Sequence, residues 1–194
     1  VPSFIEKLKI QAGEANIRPQ TKKSLDWFRK KVKGITNVNR GRLLKDSNLE
    51  LRSRPTPGKM YMFRYTAKHK EVLPYYDKFP LIFMVEGAPK GFYGLNLHYL
   101  PPTIRAVFFD KLTDVANNAR YDETTRIKIS YDILKASTKF AQFKPCFKRY
   151  LTSYMRSQPT FVPASEWEAV LFLPTEQFVG ANKQIVWKDS RRMI

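Results

Sequence analysis

Hydrophobic positions change their spacing twice along this chain, and each change predicts a different kind of element. In SLDWFRKKVKGI, Leu25, Phe28, Val32 and Ile35 recur at three, four and three residues. That is the apolar stripe of an amphipathic helix, with Ser24 placed as its N-cap. The period is lost in NVNRGRLLKDSNLELRSRPTPG, which ends on a Pro-Thr-Pro-Gly stop, so residues 36–58 read as an extended basic linker running over a neighbouring surface. From Lys59 the period falls to two. Tyr61, Phe63 and Tyr65 alternate with Met60, Met62 and Arg64, which puts the rings on one face of a strand. LIFMV is apolar at every position, as in a strand buried from both sides. GAPKG then makes a hairpin turn into GFYGLNLHYL, with Tyr93, Leu95, Leu97 and Tyr99 on one face and Gly94, Asn96 and His98 on the other.

After Pro101 and Pro102 helical spacing returns. Thr103 is placed as N-cap for a helix carrying Ile104, Val107, Phe108, Leu112 and Val115. FKPCFKRYLTSYMRS lines up Phe143, Cys146, Phe147, Tyr150, Leu151 and Tyr154 on one helical face. RIKISYDILKAS fits strand and helix periods in turn, and helix is preferred. In SEWE, Ser165 and Glu168 have capping-box spacing ahead of Trp167, Val170 and Leu171, and Pro174 stops that helix. Glycines at 91 and 94 let a sheet bend sharply. The expected fold class is therefore α+β: a small curled antiparallel β-barrel, SH3-like, flanked by helices. Residues 1–58 form a basic N-terminal arm, and residues 59–194 form the body, with strands over 59–100 and mainly helices over 103–194.

Charge changes what this fold is for. Lys and Arg number 35 against 17 Asp and Glu, a net of +18, and residues 1–58 hold fourteen of the basic residues with five of the acidic ones. Such an excess calls for nucleic acid or for acidic protein neighbours, and charge alone does not separate the two. The candidate contact residues are Lys22, Lys23, Arg29, Lys30, Lys31, Lys33, Arg40, Arg42, Arg52 and Arg54. Phosphate contacts need only such flexible cationic stems, so backbone binding is a simpler hypothesis than base readout. No run of eighteen apolar residues crosses a membrane, and VPSFIEKLKIQ lacks the apolar core of a secretory signal. A lone cysteine, Cys146, makes no internal disulfide and fits synthesis in a reducing cytoplasm.

Candidate catalytic chemistry is thin. His69 and His98 have no carboxylate or cysteine at metal-ligand spacing, and His98 reads as a hydrogen-bonded structural residue. There is no P-loop, dinucleotide fingerprint or nucleophile elbow. Asp110, Asp114, Asp122 and Glu123 allow a nuclease-type metal site, against the simpler reading of surface acids paired with Lys111 and Arg120. Tyr61, Phe63 and Tyr65 beside Arg64, Lys68 and Lys70 allow a stacking platform for single strands, against the simpler reading of core. The expectation is a non-enzyme with no cofactor and no metal.

PGKMYMFRYTAKHKEVLPYYDKFPLIFMVEGAPKGFYGLNLHYLPPTIRAVFFDKL, followed by KISYDILKAS, FKPCFKRYLTSYMRS, SEWEAVLFLP and VWKDSRRMI, resembles virion-associated proteins of large contractile-tailed phages and their cyanophage relatives. The similarity runs through residues 20 to 194. Some members of that group carry the name DNA end protector, and others are structural proteins. The resemblance implies a virion location after synthesis in the host bacterial cytoplasm, and no active site. Two roles follow from it. The first is a structural subunit docking to neck, tail or baseplate rings through its basic arm. The second is a protector that holds the termini of packaged double-stranded DNA.

Overall fold

The computed structural model describes residues 2–116, 118–137 and 141–193. The chain order is α1 (Phe4–Glu14), α2 (Lys22–Val32), α3 (Arg40–Leu43), β1 (Glu50–Leu51), β2 (Met60–Met62), β3 (Tyr76–Asp77), β4 (Leu81–Ala88) and β5 (Gly91–Asn96). It continues with α4 (Pro102–Ala116), α5 (Glu123–Ser137), β6 (Phe147–Leu151), β7 (Thr160–Val162), α6 (Trp167–Leu171), β8 (Phe178–Val179) and α7 (Lys183–Arg192). Six strands form one antiparallel sheet in the order β1-β7-β2-β4-β5-β6, and β3 pairs with β8 in a small second sheet. The fold is thus mixed α and β, as expected.

Alternation in β2 divides the interior in two. Met60 and Met62 face the larger core with Phe83 and Leu95, while Tyr61 and the following Phe63 and Tyr65 face a second core with Ile82, Met84, Phe92 and Tyr150. The three rings are 1%, 0% and 7% exposed, so they are core and not an open stacking platform. Phe63 packs edge-on against Tyr65, Phe92 and Tyr150, a ring geometry that adds to simple area burial.

The sheet curls strongly but does not close into a barrel. Gly91 makes the curl possible: a Cβ there would lie 1.8 Å from the Tyr150 carbonyl oxygen, so only glycine lets β5 and β6 approach this closely. β6 then leaves the ladder in a 3-10 turn at Thr152–Tyr154 and meets the chain beyond β2 through a single bridge, Tyr65 to Met155. The sheet keeps β1 and β6 as its edges, which is where it departs from the expected SH3-like barrel.

The segment expected to be an arm is folded onto the body. Ile5, Leu8, Leu25, Phe28, Val32, Val38 and Leu43 belong to the same core as the sheet and the C-terminal helices. Its apolar stripes are thus satisfied within the chain, and residues 36–58 include α3 and β1 rather than one extended linker. The N-cap of α2 is Thr21, whose side chain accepts from Ser24 N while Ser24 Oγ accepts from Thr21 N. Ser24 is therefore the far half of a capping box.

Three further expectations change. α4 starts at Pro102, which leaves Thr103 inside the helix, and Val107 points to solvent. FKPCFKRYL is not a helix: residues Ala141–Cys146 form 3-10 turns, and Phe147–Leu151 is the edge strand on β5. Pro145 removes a helical donor, and pairing with β5 satisfies the backbone that follows. Ser165 and Glu168 form no capping box, because Glu168 turns inward to accept from Gln20 N and from Ser24 Oγ.

Candidate nucleic-acid interface

The predicted contact residues divide into committed and free cations. Arg40 donates through Nε and a terminal nitrogen to the carbonyls of Thr175 and Glu176, which ties α3 to the C-terminal segment. Arg29 pairs with Asp26, and Arg52 pairs with Glu50 while lying over the Phe161 ring. Lys31 sits 6.0 Å above Trp27. Lys22, Lys23, Lys30, Lys33, Arg42 and Arg54 are exposed and form no ion pair with a described residue.

A second group of cations lies where the chain beyond β2 crosses the chain beyond β6. Arg64 donates its backbone N–H to Ser157 Oγ and accepts from Arg156 N, so the two arginines are set side by side. The Arg64 guanidinium also approaches the backbone at Gly41. Arg42, Lys45, Arg64 and Arg156 line one shallow groove there, and Arg64, Arg156, Arg40 and Lys78 line the next. None of Arg42, Lys45, Arg64, Lys78 and Arg156 forms an ion pair with a described residue. Sequence reading named Arg40 and Arg42 as contacts and Arg64 only beside the aromatic strand, and it missed Lys45, Lys78 and Arg156, since residues 64 and 156 are brought together only by the curl of the sheet.

Tyr65 joins this ridge to a cleft of about 480 Å³ between β6 and residues 65–76. Lys68, Lys90, Lys148 and Arg149 line it along with five tyrosines. Its floor is a buried polar network. Asp77 Oδ2 accepts from His98 Nδ1 at 2.6 Å and from Asn96 Nδ2 at 3.0 Å, and Asp77 Oδ1 accepts from Phe79 N and Gln177 N. His98 Nε2 lies 3.0 Å from Thr175 Oγ1, and Asn96 also donates to Tyr150 Oη. Burial opposes the Asp77 charge, but the adjacent imidazole and these donors outweigh it and hold the carboxyl below the usual range. His98 is wholly buried, so it orders the interior as expected and meets no solvent.

Burial pushes the Cys146 thiol up to about 12, which makes it inert packing. Among the described residues no group of His, Cys, Asp or Glu could hold a metal ion. Asp110 is half-buried and Asp114 exposed; the side chains of Lys111 and Glu123 lie outside the described residues. No described helix is long and apolar enough to cross a membrane.

A comparison with known families matches residues 1–190 to the model of the phage T4 terminal DNA protecting protein. No curated protein and no solved structure matches the chain. A match over nearly the whole length means that the chain, with its cation ridge and tyrosine cleft, belongs to the phage T4 terminal DNA protecting protein family.

Proposed function

We propose that this chain is a non-enzymatic virion protein that binds the termini of packaged phage DNA and shields them from exonuclease, gripping the duplex through its phosphates. The family match over residues 1–190 carries this reading, and it favours a DNA terminus over the neck, tail or baseplate rings that the basic charge also suits. The unpaired ridge of Arg42, Lys45, Arg64, Lys78 and Arg156 supports it, because cations held side by side without carboxylates meet a polyanion with little rearrangement. Lys22, Lys23, Lys30 and Lys33 on α2 supply further phosphate contacts.

The test is a band shift with blunt linear duplex and with a covalently closed circle of equal length. The linear form binds more tightly, and the log of its affinity falls with log salt at a slope near −0.9 per phosphate contacted. Arg64→Gln and Arg156→Gln each flatten that slope by about 1. Absence of any complex with linear duplex at moderate salt refutes the reading.

A further inference from the structure

The cleft beside Tyr65 has features that backbone gripping alone does not require. Its volume of about 480 Å³ lies within the ~300–1,000 Å³ of small-molecule sites and suits one nucleotide. Tyr65, Tyr75, Tyr76, Tyr99 and Tyr150 line it, and Tyr75 is the least buried of them, its ring held against Tyr99 and Phe178. An aromatic ring with an accessible face is a platform for any base, whatever the sequence.

Lys148 is the unusual group. It stands on edge strand β6, half-buried, with Nζ 4.2 Å above the Tyr99 ring centroid. It makes no ion pair with a described residue. Asp77 is the carboxylate in the lining, and its two oxygens already accept four hydrogen bonds. Desolvation lowers the Lys148 pKa, with only the neighbouring Cys146 opposing. A cation held out of water without an anion costs stability, and an anion entering the cleft would recover that cost. Lys68, Lys90 and Arg149 stand around it and add to the positive potential.

We infer that this cleft receives the terminal nucleotide of a DNA strand, with Lys148 taking the terminal phosphate and Tyr75 stacking the base. The inference rests on the reading that the protein meets DNA ends, and supplies what that reading lacks: a way to tell an end from the interior. A terminal phosphate monoester carries about −1.5 to −2 charges at pH 7 and three free oxygens, whereas each internal diester carries one charge. A recessed lysine rewards the first and is out of reach of the second.

The experiment titrates the full chain with a 5′-phosphorylated deoxydinucleotide, its 5′-hydroxyl form, a 3′-phosphorylated form and inorganic phosphate, read by tyrosine fluorescence. At least one terminally phosphorylated dinucleotide binds tenfold or more tightly than the hydroxyl form, and which one does so names the strand end. Lys148→Met abolishes the preference, while Lys148→Arg, which restores charge, keeps most of it; melting curves confirm that both variants fold. Equal binding of phosphorylated and hydroxyl forms by the wild type overturns the inference, as does a preference that survives in Lys148→Met. Inorganic phosphate binding as tightly as the dinucleotides removes the stacking half of it. The linear-against-circular band shift is read separately. Duplex-end binding without a phosphate preference sinks the cleft alone, and a dinucleotide preference without duplex binding sinks the proposed function alone.

Discussion

Asp77→Asn is the substitution that most directly tests the floor of the cleft. Asp77 is 3% exposed, and its two oxygens face four donors: His98 Nδ1, Asn96 Nδ2, Phe79 N and Gln177 N. An ionised carboxylate only accepts, so all four are satisfied. Asparagine keeps one oxygen, and either orientation of its amide turns an NH₂ toward two of those donors. Hydrogen bonds to a charged group are worth about 1.5–3 kcal/mol each, so losing two of them at a buried carboxylate costs about 3–5 kcal/mol. At two-state unfolding in urea near pH 7 the variant should therefore lose about 3–5 kcal/mol, with a fall in Tm on the order of 10 °C for a chain of this size. The sign with pH follows from the lowered pKa. The Asp77 contribution is present above the ordinary Asp value and is lost as pH falls through the lower folded value, so wild-type stability should drop below about pH 4 more steeply than that of Asp77→Asn. A loss under about 1 kcal/mol at pH 7, or equal acid slopes, would show that the network does not hold β3, the turn after β5 and the 175–177 segment together.

Gly91→Ala should cost about 3 kcal/mol or more by urea unfolding, because its Cβ meets the Tyr150 carbonyl at 1.8 Å and backbone must part. Gly87→Ala, on the same hairpin with nothing within 4 Å, should stay within about 0.5 kcal/mol of wild type. Glu168→Gln should be the more stable chain at pH 7 by urea unfolding: burial raises the Glu168 pKa, so the wild type loses stability as pH rises through that value, and the difference should shrink below about pH 4. Lys148→Met should show a higher Tm than wild type in thermal unfolding near pH 7, because desolvation disfavours the lysine's charge and methionine keeps most of its apolar stem.

Local periodicity revealed those elements whose backbone and side chains agree on one answer. The α2 stripe is buried as its spacing demands, with Leu25 at 2%, Phe28 at 4% and Val32 at 6% exposure. The β2 alternation and the continuous LIFMV run are buried in the same way. Phe147–Leu151 misled because its aromatic residues suit a helical face as well as a strand, and the deciding term, five paired positions on β5, lies fifty residues away. α1 carries a capping box between Ser3 and Glu6 and buries Ile5, Leu8 and Ala12 at spacings of three and four, and α7 carries an Asn182 cap, so both had readable signals in their own short stretches. The interface was less legible than the fold for a physical reason. Asp77, His98 and Thr175, or Arg64 and Arg156, carry no spacing signal at all, since tertiary pairing alone places them together.

The same tertiary pairing decides how much of the charge of +18 is free for DNA. Arg105 is 1% exposed, donates to the Leu100 and Leu171 carbonyls and lies against Trp187, so it serves as an internal strut. Arg40 is used on two carbonyls, and Lys9, Arg29, Arg52 and Lys183 are matched by carboxylates. Beside the exposed lysines of α2, one further group of cations is set together where the curled sheet folds back on itself, from Arg42 and Arg64 across Tyr65 to Lys148. A duplex lying along the ridge would present its phosphates to exposed arginines, and only a strand that stops there could turn its last phosphate into the cleft. Counting charges therefore overstates the contacts while their placement specifies them: the salt slope should report the ridge, and the phosphate preference should report the single recessed lysine.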